Sequence, residues 1–313
     1  MTRSIVTGAA GFVGSSLVDR LLELGHDVIG VDCFTDYYAR SDKEANLARA
    51  RDSERFRLIE QELSDLDLAA LLDGADYVFH LAAQAGVRPS WGERFGDYVR
   101  YNISATQRLL EAAKGTGIKR LVYASSSSVY GNAIELPVTE RALPRPISPY
   151  GVTKLAAEHL CSLYAQIYGV PAVSLRLFTV YGPRQRPDMA IRRFLAAALT
   201  GAPVTVYGDG RQTRDFTYVS NVVDAHVLAA QAESEERVFN ICGGSRISLR
   251  ELLSMIEDVT GRTLRIEYQD AARGDARDTW GDNALARKGL GFAPKVSLRE
   301  GIEAEWRWLQ ERG

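Results

Sequence analysis

A glycine-rich turn near the N-terminus constrains the fold of this chain more than any other feature of the sequence. The turn contains Gly8, Gly11 and Gly14, and it follows a short apolar segment typical of a β-strand. After it come apolar residues at helical spacing and then a second apolar segment that ends on Asp32. A strand, a glycine turn, a helix and a second strand with an acidic end together indicate a dinucleotide-binding unit.

Each residue type in this unit has a physical reason. Gly8 permits the tight turn, Gly11 lets backbone amides approach a pyrophosphate, and Gly14 lets the helix pack closely against the strand. Asp32 can accept hydrogen bonds from the adenosine ribose diol, and its charge repels a 2′-phosphate. The unit therefore predicts NAD, in preference to NADP, as the cofactor.

Strands and helices continue to alternate over the first 180 residues. The later strand-like segments lie at 57–61, 77–82, 120–124 and 172–178. This alternation predicts an α/β fold with a doubly wound parallel sheet, the Rossmann architecture. We therefore expect an NAD-binding domain over residues 1–180.

The alternation breaks after residue 180, where a loop rich in arginine and turn-forming residues begins. Residues 221–245 contain a helical and a strand-like segment, and we expect them to rejoin the main sheet. Residues 181–220 and 246–313 are then predicted to form a smaller C-terminal α/β substrate lobe.

The composition excludes several classes of partner. The chain has 38 basic and 40 acidic residues, a near balance that does not indicate binding to nucleic acid or to a membrane surface. Its 3 cysteines are widely spaced and it has only 4 histidines, so neither a disulfide framework nor a structural zinc site is expected. The N-terminal segment has no long apolar region, so we expect a cytoplasmic protein without a signal peptide or membrane anchor.

A tyrosine and a lysine four residues apart form a candidate catalytic pair. Ser148 can cap a helix, Pro149 suits its first position, and Tyr150 and Lys154 then lie on one helix face. Upstream, an apolar strand leads into a serine run that contains Ser126. The alternative interpretation is a solvated helix face that carries the same pattern.

This pair suggests hydride transfer at an alcohol carbon. The ordinary pKa of a tyrosine is about 10, and a lysine ammonium and a bound nicotinamide cation both lower it. Tyr150 could then take a hydroxyl proton as hydride leaves the carbon, while Ser126 holds the same oxygen by a hydrogen bond. Lys154 could in addition bind the nicotinamide ribose.

Together, these features resemble the extended short-chain dehydrogenases/reductases, and among them the NAD-dependent nucleotide-sugar epimerases. The resemblance extends over essentially the whole chain. Its matching stretches are Gly8–Gly14, Asp32, His80–Ala83, Asn102, Ser125–Gly131, Tyr150–Lys154, Tyr181–Arg184 and Gly208–Val219. It implies a tightly held NAD⁺ that is reduced and reoxidised in each cycle, with a 4-keto sugar as the intermediate. It also implies a homodimer formed by helices near 103–117 and 149–168, although their outward sides are not visibly more apolar than others.

The resemblance assigns roles to individual residues. The implied catalytic residues are Ser126, Tyr150 and Lys154. The implied cofactor-binding residues are Gly8, Gly11, Phe12, Val13, Gly14, Asp32, Glu62, Leu63, Leu81, Ala82, Ala83, Asn102, Tyr150 and Lys154. The implied substrate-binding residues are Arg88, Ser126, Ser127, Ser128, Thr179, Arg186, Tyr207, Arg214 and Arg273. Glu62 departs from the family pattern, which usually has Asp at this position beside the adenine amino group.

Within the family, the chain is most similar to the UDP-glucuronic acid 4-epimerases. The similarity lies in residues 36–47, 84–88 and 178–189. Thr179 stands where epimerases of neutral UDP-glucose usually have Asn. A carboxylate-bearing sugar needs a cationic pocket, for which Arg88 and Arg186 are the candidates. Each arginine could instead be structural or bind phosphate.

The serine run separates this chain from related dehydratases and from the decarboxylase that makes UDP-xylose. Those enzymes place acidic residues just before the Val-Tyr-Gly motif, whereas this chain has Ser127 and Ser128 there. A 4-keto glucuronate is a β-keto acid that can lose CO₂ spontaneously. We hypothesise that Ser127, Ser128 and Arg186 hold its carboxylate in an orientation that disfavours this loss.

The sequence therefore predicts NAD-dependent C4 epimerisation of a UDP-hexuronic acid, UDP-glucuronate to UDP-galacturonate. The nearest alternative is a UDP-glucose/UDP-galactose 4-epimerase or an enzyme that accepts both substrates. A protein that only senses NAD or a nucleotide is a further alternative. The intact set of Ser126, Tyr150 and Lys154 argues against it, because a sensor needs no base.

Overall fold

The strands of the main sheet follow the apolar segments that the sequence indicates. The structure, a computed structural model, describes residues 1–270 and 274–312. Its strands, in chain order, are β1 (Arg3–Thr7), β2 (Asp27–Asp32), β3 (Phe56–Glu60), β4 (Tyr77–His80), β5 (Arg120–Ser126), β6 (Ala172–Leu177), β7 (Val180–Tyr181), β8 (Val204–Tyr207), β9 (Thr213–Asp215), β10 (Thr217–Tyr218), β11 (Val238–Ile241), β12 (Arg246–Ser248) and β13 (Ile266–Gln269).

Helices alternate with these strands. In chain order they are α1 (Phe12–Glu23), α2 (Arg40–Asn46), α3 (Ala48–Arg51), α4 (Leu68–Leu72), α5 (Phe95–Tyr98), α6 (Ala105–Ala112), α7 (Pro149–Tyr168), α8 (Ala190–Thr200), α9 (Val219–Gln231), α10 (Leu249–Thr260), α11 (Ala284–Leu290) and α12 (Leu298–Gln310). Single turns of 3₁₀-helix lie at Leu63–Asp65, Arg88–Ser90, Gly92–Arg94 and Ser127–Val129, and a π-helical turn lies at Val99–Ser104.

A seven-stranded parallel sheet forms the centre of the fold, in the order β11-β6-β5-β4-β1-β2-β3. The chain leaves β1 for β2 on one side and later enters β4 on the other, so the strand order reverses beside β1. In doubly wound sheets, ligands bind at the carboxyl ends of the strands at such a reversal point. The predicted fold class, a doubly wound parallel sheet, is confirmed.

Both faces of this sheet are covered by helices, which explains why its strands are apolar on both sides. On one face, α1 and α9 supply buried residues such as Leu17, Val18 and Val222. On the other face, α6 and α7 supply residues such as Leu109 and Cys161. The two helical layers fix the carboxyl edge of the sheet between them.

A third core lies apart from these two layers and consists of residues between Tyr181 and Trp306. It packs α8, α10 and α12 beside the short strand pair of β8 and β13. Two late helices, α10 and α12, each begin with a capping box, in which Ser248 pairs with Glu251 and Ser297 with Glu300. We propose that this core belongs to the smaller lobe of residues 181–220 and 246–313.

The apolar spacing of residues 98–114 predicts one amphipathic helix, but the structure differs from this expectation. The segment is divided into α5, the π-helical turn at Val99–Ser104 and α6. The extra residue of a π-turn rotates the helix locally, and such turns are frequent at functional sites. Here the turn contains Asn102, whose buried side chain bonds to neighbouring elements. None of the helices in the described ranges is both long and apolar enough to cross a membrane.

Replacement of Gly14 by Ala should disrupt the close packing of α1 on β1. A Cβ atom on Gly14 would overlap the backbone carbonyl of Gly8, and backbone cannot move away as a side chain can. We expect the free energy of unfolding to fall by at least about 2 kcal/mol and NAD binding to weaken. Chemical denaturation and calorimetric titration with NAD measure the two effects.

The matched control for this variant is Gly117→Ala. No atom lies within 4 Å of a Cβ built on Gly117, so its unfolding free energy should stay within about 0.5 kcal/mol of the original value. Equal effects of the two substitutions would show that the contact at Gly14 is not a constraint on the fold.

Candidate active site

A cleft of about 900 Å³ opens at the carboxyl edge of the sheet, beside the reversal of strand order. The loops after β1, β2, β4 and β5 line one part of it, and the loop after β7 lines another. Of the predicted cofactor-binding residues, those that line the cleft are Gly8, Gly11, Phe12, Val13, Gly14, Asp32, Glu62, Leu63, Leu81, Ala82, Ala83, Tyr150 and Lys154.

The glycine turn and the end of β2 fit a dinucleotide. Gly8 has a φ angle of 71°, and a Cβ on it would lie 2.8 Å from the backbone nitrogen of Ala82, so only glycine leaves this approach open. Asp32 accepts hydrogen bonds from the backbone N–H groups of Ala10 at 3.0 Å and Phe34 at 2.8 Å. Burial raises the pKa of Asp32, and these two bonds partly offset that rise. They also fix the carboxyl group beside the turn.

A chain of hydrogen bonds behind the cleft fixes the loop after β4. The N–H of Ala82 donates to Thr7 Oγ1, which lies 2.8 Å from His80 Nδ1. On the other side, His80 Nε2 lies 2.9 Å from Thr106 Oγ1, which donates to the carbonyl of Asn102. Since the Thr106 proton is used in that bond, His80 donates from Nε2 and accepts at Nδ1. Burial lowers the pKa of His80 to about 3, so the ring stays neutral.

Asn102 is placed differently from its prediction as a direct cofactor ligand. It is not among the residues that line the cleft, and its side chain is buried. Its Oδ1 accepts from the N–H of Gln84 at 2.7 Å, and its Nδ2 donates to the Gln84 carbonyl and to Thr153 Oγ1 at 2.9 Å. These bonds give Asn102 a positioning role, because they join the loop after β4 to helix α7 next to Lys154.

The predicted catalytic residues meet in the cleft. Ser148 caps α7 by accepting from the N–H of Gly151 at 3.1 Å, and Tyr150 and Lys154 follow on the face of the helix that lines the cleft. Ser126, at the end of β5, accepts from the N–H of Ser128 at 3.1 Å. The structure therefore brings the serine, the tyrosine and the lysine together, as the sequence predicts.

The pKa of Tyr150 depends on several neighbours. Burial raises it, while a hydrogen bond from Ser126 and the positive charge of Arg186 lower it, and the net result is a raised pKa. Lys154, which the sequence predicts to lower this pKa, is not among those neighbours. Its Nζ lies 4.5 Å from the centre of the Tyr123 ring, and burial lowers its pKa to about 7. The charge of Lys154 is therefore sensitive to small changes in its surroundings near neutral pH.

A buried ion pair supports the serine run from behind. Arg176 on β6 donates to Glu158 on α7 from Nη2 at 2.5 Å and from Nε at 3.0 Å and 3.2 Å. Glu158 also accepts from Ser125 Oγ at 2.6 Å, and Arg176 Nη1 donates to the hydroxyl of Tyr130 at 2.7 Å. The pair thus holds both ends of the segment that carries Ser126. The local sequence pattern does not predict this ion pair, although Glu158 follows Lys154 by four residues on the same helix face.

Hydroxyl-bearing side chains and an arginine line the same cleft as Tyr150. They are Ser127, Ser128, Thr179 and Arg186. The positive charge of Arg186 lowers the pKa of Tyr150. The cleft therefore offers hydroxyl donors and a cation, which suit an oxygen-rich or anionic group.

Arg186 is not free of partners in this structure. It donates to Asp188 from Nε at 2.9 Å and from Nη2 at 3.0 Å, a bidentate pair. Tyr37 donates to Asp188 Oδ2 at 3.3 Å, and the Arg186 guanidinium lies 5.5 Å from the centre of the Tyr37 ring. Asp188 lies in the stretch 178–189 that carries the family resemblance, but nothing in the local pattern specifies its pairing with Arg186.

Arg88 lies in a different part of the site from Arg186. Its guanidinium stacks on the ring of Tyr207, 4.2 Å from the ring centre, and Nη2 pairs with Asp275 at 2.8 Å. Arg88 and Asp275 line the cleft, whereas Tyr207 is not among the lining residues. The family resemblance places Tyr207 where the uracil of the nucleotide lies, so the position of Arg88 fits the nucleotide end better than the sugar.

Two other arginines, Arg214 and Arg273, are also implied to bind the substrate. Arg214 is not among the lining residues, and its Nη1 donates to the carbonyls of Thr213 and Arg277, both at 2.8 Å. Burial lowers the pKa of Arg214, and nearby acidic groups partly offset this. Arg273 lies outside the described residues.

At the predicted adenine end, Glu62 has a close partner. Arg100 donates to its two carboxylate oxygens at 2.6 Å and 2.5 Å. Glu62 still lines the cleft, and the charge of Arg100 balances the charge of its carboxylate. In the described part of the chain, no cluster of three or more His, Cys, Asp or Glu side chains could hold a metal ion.

Known proteins resemble this chain over its whole length. Residues 4–242 match the NAD dependent epimerase/dehydratase family. A protein of Bacillus subtilis (strain 168) named as an uncharacterized UDP-glucose epimerase is 46% identical over 308 residues, 97% of each chain. The UDP-glucuronic acid 4-epimerase of Bacillus cereus, solved with UDP-glucuronic acid and NAD, is 41% identical with a TM-score of 0.95, and 100% of each chain is covered.

A third similar protein has been solved with two different sugars. MoeE5 in complex with NAD and UDP-glucuronic acid is 43% identical to this chain, with a TM-score of 0.89 and 100% of each chain covered. MoeE5 in complex with NAD and UDP-glucose gives the same identity and TM-score, with 100% of this chain and 99% of the other covered.

The fold and the cleft therefore define an enzyme of the extended short-chain dehydrogenase/reductase class. Within that class, the chain belongs to the NAD dependent epimerase/dehydratase family. The predicted family is confirmed, and so is its use of NAD.

Proposed function

We propose that this chain is an NAD-dependent UDP-sugar 4-epimerase that interconverts UDP-glucuronate and UDP-galacturonate. The main support is Arg186, which lines the same cleft as Tyr150, Ser127 and Ser128 and whose positive charge lowers the pKa of Tyr150. A carboxylate on C6 of the sugar would find its donors there, two carbons away from the C4 atom that reacts.

The residues of the chain have defined tasks in this reaction. The glycine turn and Asp32 would hold NAD, which would supply the acceptor and later the donor of the hydride at C4. Tyr150 takes the proton of the C4 hydroxyl when the ketone forms and gives it back when the alcohol is restored. Ser126 holds the C4 oxygen and favours the phenolate form of Tyr150. Protons and electrons balance over the cycle, so the net change is inversion at C4.

Ser127 and Ser128 support epimerisation over elimination. They occupy the short helical turn after β5 and line the cleft, and they supply hydroxyl groups where an acid–base reaction at C5 or C6 would need a carboxylate. We infer that together with Arg186 they hold the carboxylate of the 4-keto intermediate so that CO₂ is retained.

A direct assay tests the substrate. The purified protein is incubated separately with UDP-glucuronate and UDP-glucose, and the products are identified by NMR from the configuration at C4. UDP-galacturonate should be the principal product. Conversion of UDP-glucose alone would replace the proposal with the alternative function, UDP-glucose/UDP-galactose 4-epimerisation. Substantial UDP-xylose would contradict the role given to Ser127, Ser128 and Arg186.

The homodimer stays a proposal, and the structure adds support for it. The outward face of α7 carries large apolar side chains, with Leu163 50% and Ile167 61% exposed and Val152 also exposed. Together with Ala156 and His159 they recur every three or four residues, so they form one stripe on the helix. The sequence pattern hid this stripe, because residues on the buried faces of α7 are equally apolar. We propose that a second copy of the chain covers it.

Tyr150→Phe should lower turnover about 10²–10⁴-fold, because the proton carrier at the C4 oxygen is removed while the ring remains. NAD binding should be unchanged. The control is Tyr268→Phe on β13, whose side chain is exposed and whose loss of a hydroxyl should leave turnover unchanged. Activity of Tyr150→Phe equal to that of the control would rule out the proposed mechanism.

Arg186→Ala should reduce kcat/KM for UDP-glucuronate about 10²-fold and change kcat/KM for UDP-glucose much less. Only UDP-glucuronate has a carboxylate, and the substitution removes the charged partner of that carboxylate. Arg88→Ala is the matched comparison. Because Arg88 stacks on Tyr207, its loss should affect both substrates similarly. The reverse pattern would move carboxylate binding to Arg88.

Leu163→Glu combined with Ile167→Glu should separate the proposed dimer, since two charges would face the apolar stripe of the partner. Sedimentation velocity should then show a monomer. Leu199→Glu is the control, because Leu199 on α8 is 43% exposed but lies outside the stripe. A dimer that survives the double substitution must use another surface.

A further inference from the structure

The pair formed by Arg186 and Asp188 has the geometry by which arginine recognises any carboxylate. The Nε–Oδ1 distance is 2.9 Å and the Nη2–Oδ2 distance is 3.0 Å, so two parallel hydrogen bonds join the groups. Such forked pairs are among the stronger interactions of arginine. Asp188 therefore already provides, within the protein, what a uronic acid substrate would provide from outside.

The pair is built into the loop after β7. Arg186 and Asp188 are separated only by Pro187, and the N–H of Met189 donates to the carbonyl of Arg186 at 3.1 Å to close a turn. Proline restricts the backbone of this turn, so the two side chains are held on the same side of it. Tyr37, from the loop after β2, donates to Asp188 and fixes the carboxylate from the opposite direction.

The two partners differ in their access to solvent. The side chain of Arg186 is 19% exposed, whereas that of Asp188 is 43% exposed. A guanidinium with so little contact with water needs a counter-charge. In the described ranges, the carboxylate that pairs with it is that of Asp188. Burial alone would lower the pKa of Arg186, but the bond and the charge of Asp188 leave that pKa raised.

This arrangement has opposite consequences for the two kinds of sugar. A neutral hydroxymethyl group at C6 can bind while Arg186 keeps its counter-charge. A carboxylate at C6 instead approaches a cation that is already neutralised, and it meets the negative charge of Asp188 at close range. The attraction of Arg186 for a uronic acid is thus reduced by its own neighbour.

We propose that Asp188 is a specificity-determining residue that competes with the substrate carboxylate for Arg186 and so sets the preference between acidic and neutral UDP-sugars. This inference rests on the proposed function, since it requires that Arg186 binds the sugar carboxylate. Beyond that function, Asp188 lowers the preference of the enzyme for UDP-glucuronate and thereby allows UDP-glucose to be accepted.

The test compares kcat/KM for UDP-glucuronate and for UDP-glucose in the wild-type protein, in Asp188→Asn and in Asp188→Ala. Both variants remove the negative charge by different side chains. The ratio of the two kcat/KM values should rise about tenfold in favour of UDP-glucuronate, chiefly through a lower KM for that substrate. Asp188 is partly exposed, so both variants should fold, and the ratio is insensitive to the fraction of active protein.

Asp42→Asn is the matched control. Asp42 on α2 pairs with Arg192 at 3.6 Å and is not among the residues that line the cleft, so its loss removes a charge from the same region without freeing Arg186. The ratio should not change in this variant.

The outcomes separate the two proposals. An unchanged ratio in the Asp188 variants would leave Asp188 only a role in loop packing. A fall in the ratio would mean that Asp188 orients Arg186 for the substrate. Either result overturns the inference while the proposed function stands. Equal losses for both substrates in Arg186→Ala would also overturn the inference, since Arg186 would then not bind the sugar carboxylate. No turnover of UDP-glucuronate by the wild-type protein would overturn both proposals.

Discussion

The buried ion pair between Glu158 and Arg176 is the interaction on which the geometry of the cleft most depends. Each side chain is less than a tenth exposed, and their shortest distance is 2.5 Å. Removing one partner of such a pair typically costs about 3–5 kcal/mol, because a charge is left buried without compensation. The cost is high here for a second reason. The same two groups hold Ser125 and Tyr130, so the serine run could not keep its position without them.

The ion pair also explains how four separate elements meet at one edge of the sheet. Glu158 belongs to α7, Arg176 to β6, and the serine run to the end of β5. Tyr130 extends the network by donating to Asn240 on β11 at 2.7 Å. Since α7 contributes Tyr150 and Lys154 from the same face as Glu158, the network fixes the helix and the strand end relative to each other. The proposed chemistry needs this, because a proton can move only between groups within hydrogen-bond reach.

The sequence predicts the parts of this structure that depend on local pattern. β1 and β2 flank the glycine turn, and α7 begins at Pro149, as the sequence predicts, because turn residues, caps and apolar periodicity act over a few residues. The interactions between side chains distant in sequence were not predicted. The role of Asn102 depends on a π-helical turn, and the place of Arg88 depends on its contact with Tyr207 on β8. No local pattern specifies either, although most of the site residues that the family resemblance implies do line the cleft.

Arg186 links substrate preference to the acidity of Tyr150. Its positive charge helps to lower the pKa of the tyrosine, against the effect of burial. Any carboxylate that pairs with Arg186, whether from Asp188 or from a substrate, weakens that help, because the field of an ion pair falls off faster than that of a single charge. In the proposed mechanism the phenolate then depends more on Ser126 and on the cationic nicotinamide. Under the proposed function, recognition of an acidic sugar at Arg186 therefore has an electrostatic cost at the base, Tyr150.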